Sequence, residues 1–269
     1  MTHTWAVNCS IMLKDRPIEE RLAAVVEAGF EAVEFWWPFD SAAPDKEQID
    51  AFASVIERSR LELTALNLYA GDMAAGDRGI VSWPEREAEL RSSTDVAARI
   101  GERLGTRRFN ALYGNRIDGE RADAQDALAV DNLRRSADRV AEIGGVLLIE
   151  PVSGADRYPL RTADDAVSVI DRVQAAGAEN IRLLLDVYHL AVNGDDVSAA
   201  IRRHAHRIGH VQLADAPGRG APGTGGLPVG RWVRELRDAG YDDRIAFEYV
   251  SEDEDPLAAL GDGFRKEER

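Results

Sequence analysis

Val146-Leu-Leu-Ile-Glu150, Ile181-Arg-Leu-Leu-Leu-Asp186 and Ile208-Gly-His-Val-Gln-Leu213 are short apolar runs, each with an oxygen-bearing side chain at or beside its end. Runs this short and this rich in Val, Ile and Leu read as strands buried on both faces. Working outward, the pattern recurs at Trp5–Cys9, Ala32–Trp36, Leu63–Leu68, Arg108–Leu112 and Ile245–Tyr249. The stretches between them have helical spacing. Ile18, Leu22, Val25 and Val26 form one stripe, stopped by Gly29; Ile49, Phe52, Val55 and Ile56 form a second. Thr162, with Asp165 three residues on, marks a helix start before Ala166, Val169, Ile170 and Val173. Pro228 marks another, ahead of Trp232, Val233 and Leu236.

Eight strands alternating with helices leave two architectures, an open doubly wound sheet or a closed barrel. No Gly-x-Gly-x-x-Gly follows the first strand, where a dinucleotide fold needs it, and eight regular units favour closure. The expectation is an α/β protein, a (β/α)8 TIM barrel forming one domain over residues 1–269. Tyr69–Trp83 and Pro217–Gly230 are longer than ordinary connections, and such loops are usually functional.

The composition excludes several classes. A net charge of -15 repels phosphate backbones and leaves no basic footprint for nucleic acid. No run of about 18 apolar residues is present, so no membrane span is expected. Met1 to Trp5 lack the basic run of a secretory signal. The single cysteine, Cys9, cannot form an intrachain bridge and reads as a small packed hydrophobe, which fits a reduced cytoplasmic setting. Trp36 and Trp37, after the second strand, read either as a contact in a homo-oligomer or as a pocket wall.

In a barrel the catalytic face lies at the C-terminal strand ends. Strand five ends at Glu150, strand six at Asp186 with Tyr188 and His189 beyond, strand seven carries Gln212 and then Asp215, and strand eight leads into Glu248. A carboxylate after an apolar run costs several kcal/mol to desolvate unless it is compensated. Each could pair with an arginine, but three on neighbouring strands at one height would repel without a cation. Three carboxylates and an amide oxygen make a hard oxygen site suited to Mg2+ or Mn2+. His189 is expected to orient a substrate oxygen or a ligating carboxylate, or else to cap the next helix. His210 points beneath the site or is a satisfied core histidine, and His3, His204 and His206 read as surface residues.

These motifs resemble the hydroxypyruvate isomerase family, within the xylose isomerase-like barrels, from about Trp5 to Tyr249. The most specific stretch is Asn67-Leu-Tyr-Ala-Gly-Asp-Met-Ala-Ala-Gly-Asp-Arg-Gly79. Leu148-Ile-Glu-Pro151, Asp186-Val-Tyr-His189, His210-Val-Gln-Leu-Ala-Asp215, Pro222-Gly-Thr-Gly225 and Phe247-Glu-Tyr249 follow in order. The resemblance implies one divalent metal held by Glu150, Asp186, Gln212 and Glu248. Glu150 and Glu248 would be the acid/base pair in isomerising hydroxypyruvate to tartronate semialdehyde. Asn67, His189 and Arg219 would contact substrate, Arg219 through the substrate carboxylate; a solvated surface arginine is the other reading. Leu66, Ala221 and Gly226 replace a histidine and two glutamates usual in the family, which puts the substrate in question rather than the reaction type. A 2-oxo-tetronate isomerase or a ketose 3-epimerase is the nearest rival, and a non-catalytic sugar-acid binder a remoter one. The metal-dependent endonucleases of this barrel need many histidines and a basic groove; five histidines and the negative charge argue against them.

Overall fold

The computed structural model describes residues 5–253 and 255–260. His3 lies outside them. Eight strands pair in sequence order, all parallel, into a closed barrel: β1 Trp5–Asn8, β2 Ala32–Phe35, β3 Glu62–Asn67, β4 Arg108–Asn110, β5 Val146–Ile149, β6 Ile181–Asp186, β7 Ile208–Leu213 and β8 Ile245–Phe247. The seam is closed by β1 on β8, with Trp5 opposite Ile245 and Ala6 opposite Ala246. Trp5 stacks on Phe247 with centroids 5.0 Å apart, an arrangement worth about 0.5–1.5 kcal/mol beyond area burial. Ala6, Ala32 and Ala246 form a small buried cluster of their own.

Helices occupy the intervals: α1 Ile18–Glu27, α2 Lys46–Ser59, α3 Glu87–Leu104, α4 Ala122–Ala141, α5 Ala163–Ala175, α6 Val187–Val192, α7 Val197–His204 and α8 Val229–Asp238. Thr162 caps α5 as its spacing with Asp165 predicts, in a reciprocal capping box. Ala166, Val169, Ile170 and Val173 are buried beneath it. The α1 stripe is narrower than the sequence suggests, because Val26 is 48% exposed and only Leu22 and Val25 are fully buried. Among the described residues no helix is long and apolar enough to cross a membrane.

Several strands stop earlier than their apolar runs. β5 ends at Ile149 and β8 at Phe247, one residue short of each glutamate. The ladder gives way there to side-chain partners: the Glu150 carbonyl accepts from the Tyr158 hydroxyl at 2.9 Å. The β3–α3 loop is held by an antiparallel bridge between Gly79 and Tyr113. Gly79 has φ 97°, and a Cβ there would run into the Leu112 carbonyl, so glycine is required.

Candidate active site

Parallel register sets the height of the site. Asp186 pairs with Gln212 across β6 and β7, and Asn67 with Asn110 across β3 and β4. A buried polar layer therefore crowns the apolar barrel: Asn8, Glu34, Asn67, Asn110, Glu150, Asp186, His189, His210, Gln212 and Glu248.

Each side chain is held by identifiable partners. Asp186 caps α6, its Oδ1 accepting from the backbone of Tyr188 at 2.8 Å and His189 at 3.2 Å. Its Oδ2 lies 3.3 Å from Arg219 Nη2 and 3.6 Å from His189 Nε2. Glu150 Oε2 accepts from Asn110 Nδ2 at 2.7 Å, and Oε1 is 3.9 Å from His189 Nε2. Glu248 Oε1 accepts from Trp36 Nε1 at 2.9 Å and is ion-paired with Arg219 Nη2, also 2.9 Å away. Gln212 donates through Nε2 to Glu34 Oε1 at 2.7 Å. Glu150, Asp186 and His189 each bring a polar atom within 4.8 Å of the others, a cluster that could hold a metal through its two carboxylates. Glu248 joins them through the guanidinium of Arg219.

His189 does not cap α6; Asp186 does. The Ser153 backbone N–H lies 3.1 Å from His189 Nδ1, which must then accept, leaving the ring proton on Nε2, facing the two carboxylates. Burial, foremost, pushes its pKa down to about 4 against the pull of Asp186, so the ring is neutral. The surface reading of Arg219 is overturned. Its side chain is 17% exposed, it stacks over Tyr188 at 5.5 Å, and its carbonyl accepts from Val250 N at 2.8 Å. Burial works against its charge, but Glu248, Asp186 and Glu150 more than offset that and hold the guanidinium above its ordinary pKa.

Three buried carboxylates thus face one guanidinium. Glu150 is pushed up to about 8, by burial first and then by repulsion from Asp186. Glu248 is driven well above the carboxylate range, by burial first, with Arg219 pulling down and Glu150, Glu34 and Asp186 pushing up. Among the described residues, Glu248 Oε2, Gln212 Oε1 and Asn110 Oδ1 are buried oxygens with no hydrogen-bond donor. Surplus negative charge and unpartnered oxygen acceptors are what a hard divalent cation satisfies. The donor set fits such an ion.

Trp36 is part of the site through its bond to Glu248, and Trp37 packs on Phe39 and Tyr69 with its indole donating to the Ser41 carbonyl. Cys9 is fully buried in the core. His206 is exposed, but His204 is partly buried and bonded to Asp164 at 2.6 Å. His210 is buried and bonded to Glu34 at 2.6 Å. Asp215 is fully buried and folds the β7–α8 loop, accepting from the backbone of Ala216, Gly223 and Leu227 at 2.8–2.9 Å. A Cβ at Gly225 would run into the Ala216 carbonyl, which keeps that loop tight around Asp215 and fixes the placement of Arg219.

Sequence reasoning missed Glu34, Asn8, Asn110 and Ser153. The signal for Glu34 was present: it interrupts Ala32-Val-Glu-Phe35 as Glu150 ends its own run. It sits one residue inside the strand, so a search of strand ends passes over it.

The profile of the xylose isomerase-like TIM barrel family matches residues 22–266. A Streptomyces coelicolor protein provisionally named a hydroxypyruvate isomerase is 46% identical, over 94% of this chain and 92% of its own. The hydroxypyruvate isomerase of Escherichia coli K12 is 32% identical, over 91% and 92%. The 2-oxo-tetronate isomerase of Cupriavidus necator is also 32% identical, over 91% and 92%. Among solved structures, one from Brucella melitensis titled an AP endonuclease of family 2 superposes with a TM-score of 0.84 at 29% identity, covering 95% of this chain and 96% of the other.

Proposed function

The chain belongs to the xylose isomerase-like TIM-barrel family, and we propose that it is a divalent-metal-dependent isomerase interconverting hydroxypyruvate and 2-hydroxy-3-oxopropanoate. The carrying observation is the pair Glu150 and Glu248, both buried, both shifted towards the protonated form, set around one guanidinium. An aldose–ketose interconversion needs a carboxylate to take a weakly acidic C–H proton beside a carbonyl and a second carboxyl group to serve the neighbouring carbon. Glutamates held in a water-poor site with raised proton affinity suit that exchange.

Glu150, Asp186, Gln212 and Glu248 would hold the cation, Mg2+ or Mn2+, which would supply Lewis-acid stabilisation of charge on the substrate oxygens. Trp36 holds one oxygen of Glu248 and leaves Oε2 for proton transfer. Asn110 does the same for Glu150, leaving Oε1 as the working oxygen. The Nε2 proton of neutral His189 is available to an oxyanion. Arg219, charged and at the centre of the group, offers its fork to the substrate carboxylate, and Asn67 lies at the same rim.

A 2-oxo-tetronate isomerase is the second reading, supported by a relative of that name as similar to this chain as the Escherichia coli hydroxypyruvate isomerase, both at 32% identity. The test is turnover of hydroxypyruvate, 2-oxo-tetronate and ketohexoses, with and without chelator. Hydroxypyruvate is expected to turn over fastest, with loss of activity in chelator and recovery on adding Mn2+ or Mg2+. A preference for 2-oxo-tetronate would replace the substrate assignment, and full activity in chelator would remove the metal.

A further inference from the structure

β2 contributes no oxygen to the proposed ligand set, yet Glu34 stands on it, 2% exposed, with no arginine or lysine paired to it among the described residues. Its partners form a chain of fixed donors. Asn8 Oδ1 accepts from the backbone of Ser10 at 3.0 Å and Ile11 at 3.3 Å. Backbone N–H groups can only donate, so the Asn8 amide cannot be turned round, and its Nδ2 must point at Glu34 Oε1, 2.8 Å away. On the other oxygen, His210 Nε2 is 2.6 Å from Oε2, and His210 Nδ1 is buried with no partner. A buried N–H without an acceptor is costly, so the ring proton belongs on Nε2, donated to Glu34. Both oxygens of Glu34 are therefore acceptors. The Gln212 atom 2.7 Å from Oε1 must be its nitrogen, which leaves Gln212 Oε1 with no donor.

We propose that Glu34 is a positioning residue: it locks the Gln212 amide so that its oxygen, never its NH2, is offered to the divalent cation. An amide is the one member of the ligand set that has a wrong way round. Turned over, Gln212 would present two N–H donors to a cation, and repel it. Asp186 and Glu248 present oxygen in either orientation and need no such lock.

This rests on the metal site proposed above and is tested by Mn2+ affinity, read by calorimetry on the full chain. Glu34→Met frees the amide, and affinity is expected to fall about 10–100-fold, as loss of an orienting partner typically does. Gln212→Glu in the wild-type background sets two carboxylates against each other and is expected to weaken binding. The same Gln212→Glu change added to Glu34→Met is expected to tighten binding back towards wild type, since a carboxylate has no wrong orientation. If Glu34 acted only through its charge, Gln212→Glu would tighten binding in both backgrounds, and that result overturns the proposal. Wild-type affinity in Glu34→Met overturns it too, while leaving the metal site standing; no Mn2+ binding by the wild type overturns both. Should Glu34→Met not fold, NMR of the Gln212 side-chain amide in the wild type decides. Protons protected from exchange, and unchanged in partner when Mg2+ binds, are expected; rapid exchange with water contradicts the lock.

Discussion

At the N-terminal end of the barrel, Arg244 meets Glu62 at 2.7 Å and Arg108 pairs with Asp243, acid against base, partly in solvent. At the C-terminal end, Glu150, Asp186 and Glu248 are buried together, and among the described residues Arg219 is the one arginine or lysine paired with any of them. Partly exposed pairs of the first kind contribute about 0–1 kcal/mol each, so that end is electrostatically quiet. The second arrangement stores repulsion. The same strands run through both ends, so the difference lies in where the polar side chains fall along them, and it separates the part of the fold that serves stability from the part that serves chemistry.

The contrast breaks hardest at Glu248. Glu248→Gln is expected to lower turnover about 10²–10⁴-fold, the usual contribution of a positioned acid/base group, with thermal unfolding close to wild type. Turnover within tenfold of wild type would remove Glu248 from the mechanism.

Next in size is the response to metal. Without a cation, Glu150 is protonated up to about pH 8 in the folded chain, against an ordinary value of 4.5. A raised folded pKa favours the fold below the ordinary value and is lost as pH climbs through the raised one. The metal-free protein should therefore lose stability between about pH 4.5 and 8, while a bound divalent cation keeps the carboxylates ionised without that loss. The rise in Tm on adding Mn2+ is expected to be larger at pH 8 than at pH 6. An equal rise at both values, in a calorimetric scan, would detach Glu150 from the ion.

A smaller effect is expected from Trp36→Phe, which removes the hydrogen bond to Glu248 Oε1 and leaves its ion pair with Arg219. One hydrogen bond to a charged group is worth about 1.5–3 kcal/mol, so kcat should fall roughly ten- to a hundredfold with KM little changed. A change in KM alone would make Trp36 a wall and nothing more. The smallest effect sharpens the comparison from the quiet end. Arg108→Ala should shift unfolding by no more than about 1 kcal/mol and leave kcat/KM unaltered; a tenfold loss of activity would mean the two ends are coupled.

The barrel was legible because strands buried on both faces advertise themselves as uninterrupted apolar runs, and all eight lie where those runs do. Their ends were less legible, since the last one or two apolar residues of a run are free to pack without pairing. Of the site, the residues that end a run stood out by contrast. Glu34 stood out less, inside its run rather than at the end, and what it and Asn110 do depends on partners 26 to 178 residues away in the chain. Arg219 was ambiguous for the opposite reason: a charged residue in a glycine-rich loop looks solvated until the loop is seen wrapped around Asp215 and pressed onto Tyr188.

The most direct measurement is an anomalous-difference map from crystals of the protein soaked in Mn2+. One strong peak bordered by oxygens of Glu150, Asp186, Gln212 and Glu248 is expected. A map with no peak among those four side chains, from crystals whose protein isomerises hydroxypyruvate in chelator, would contradict it.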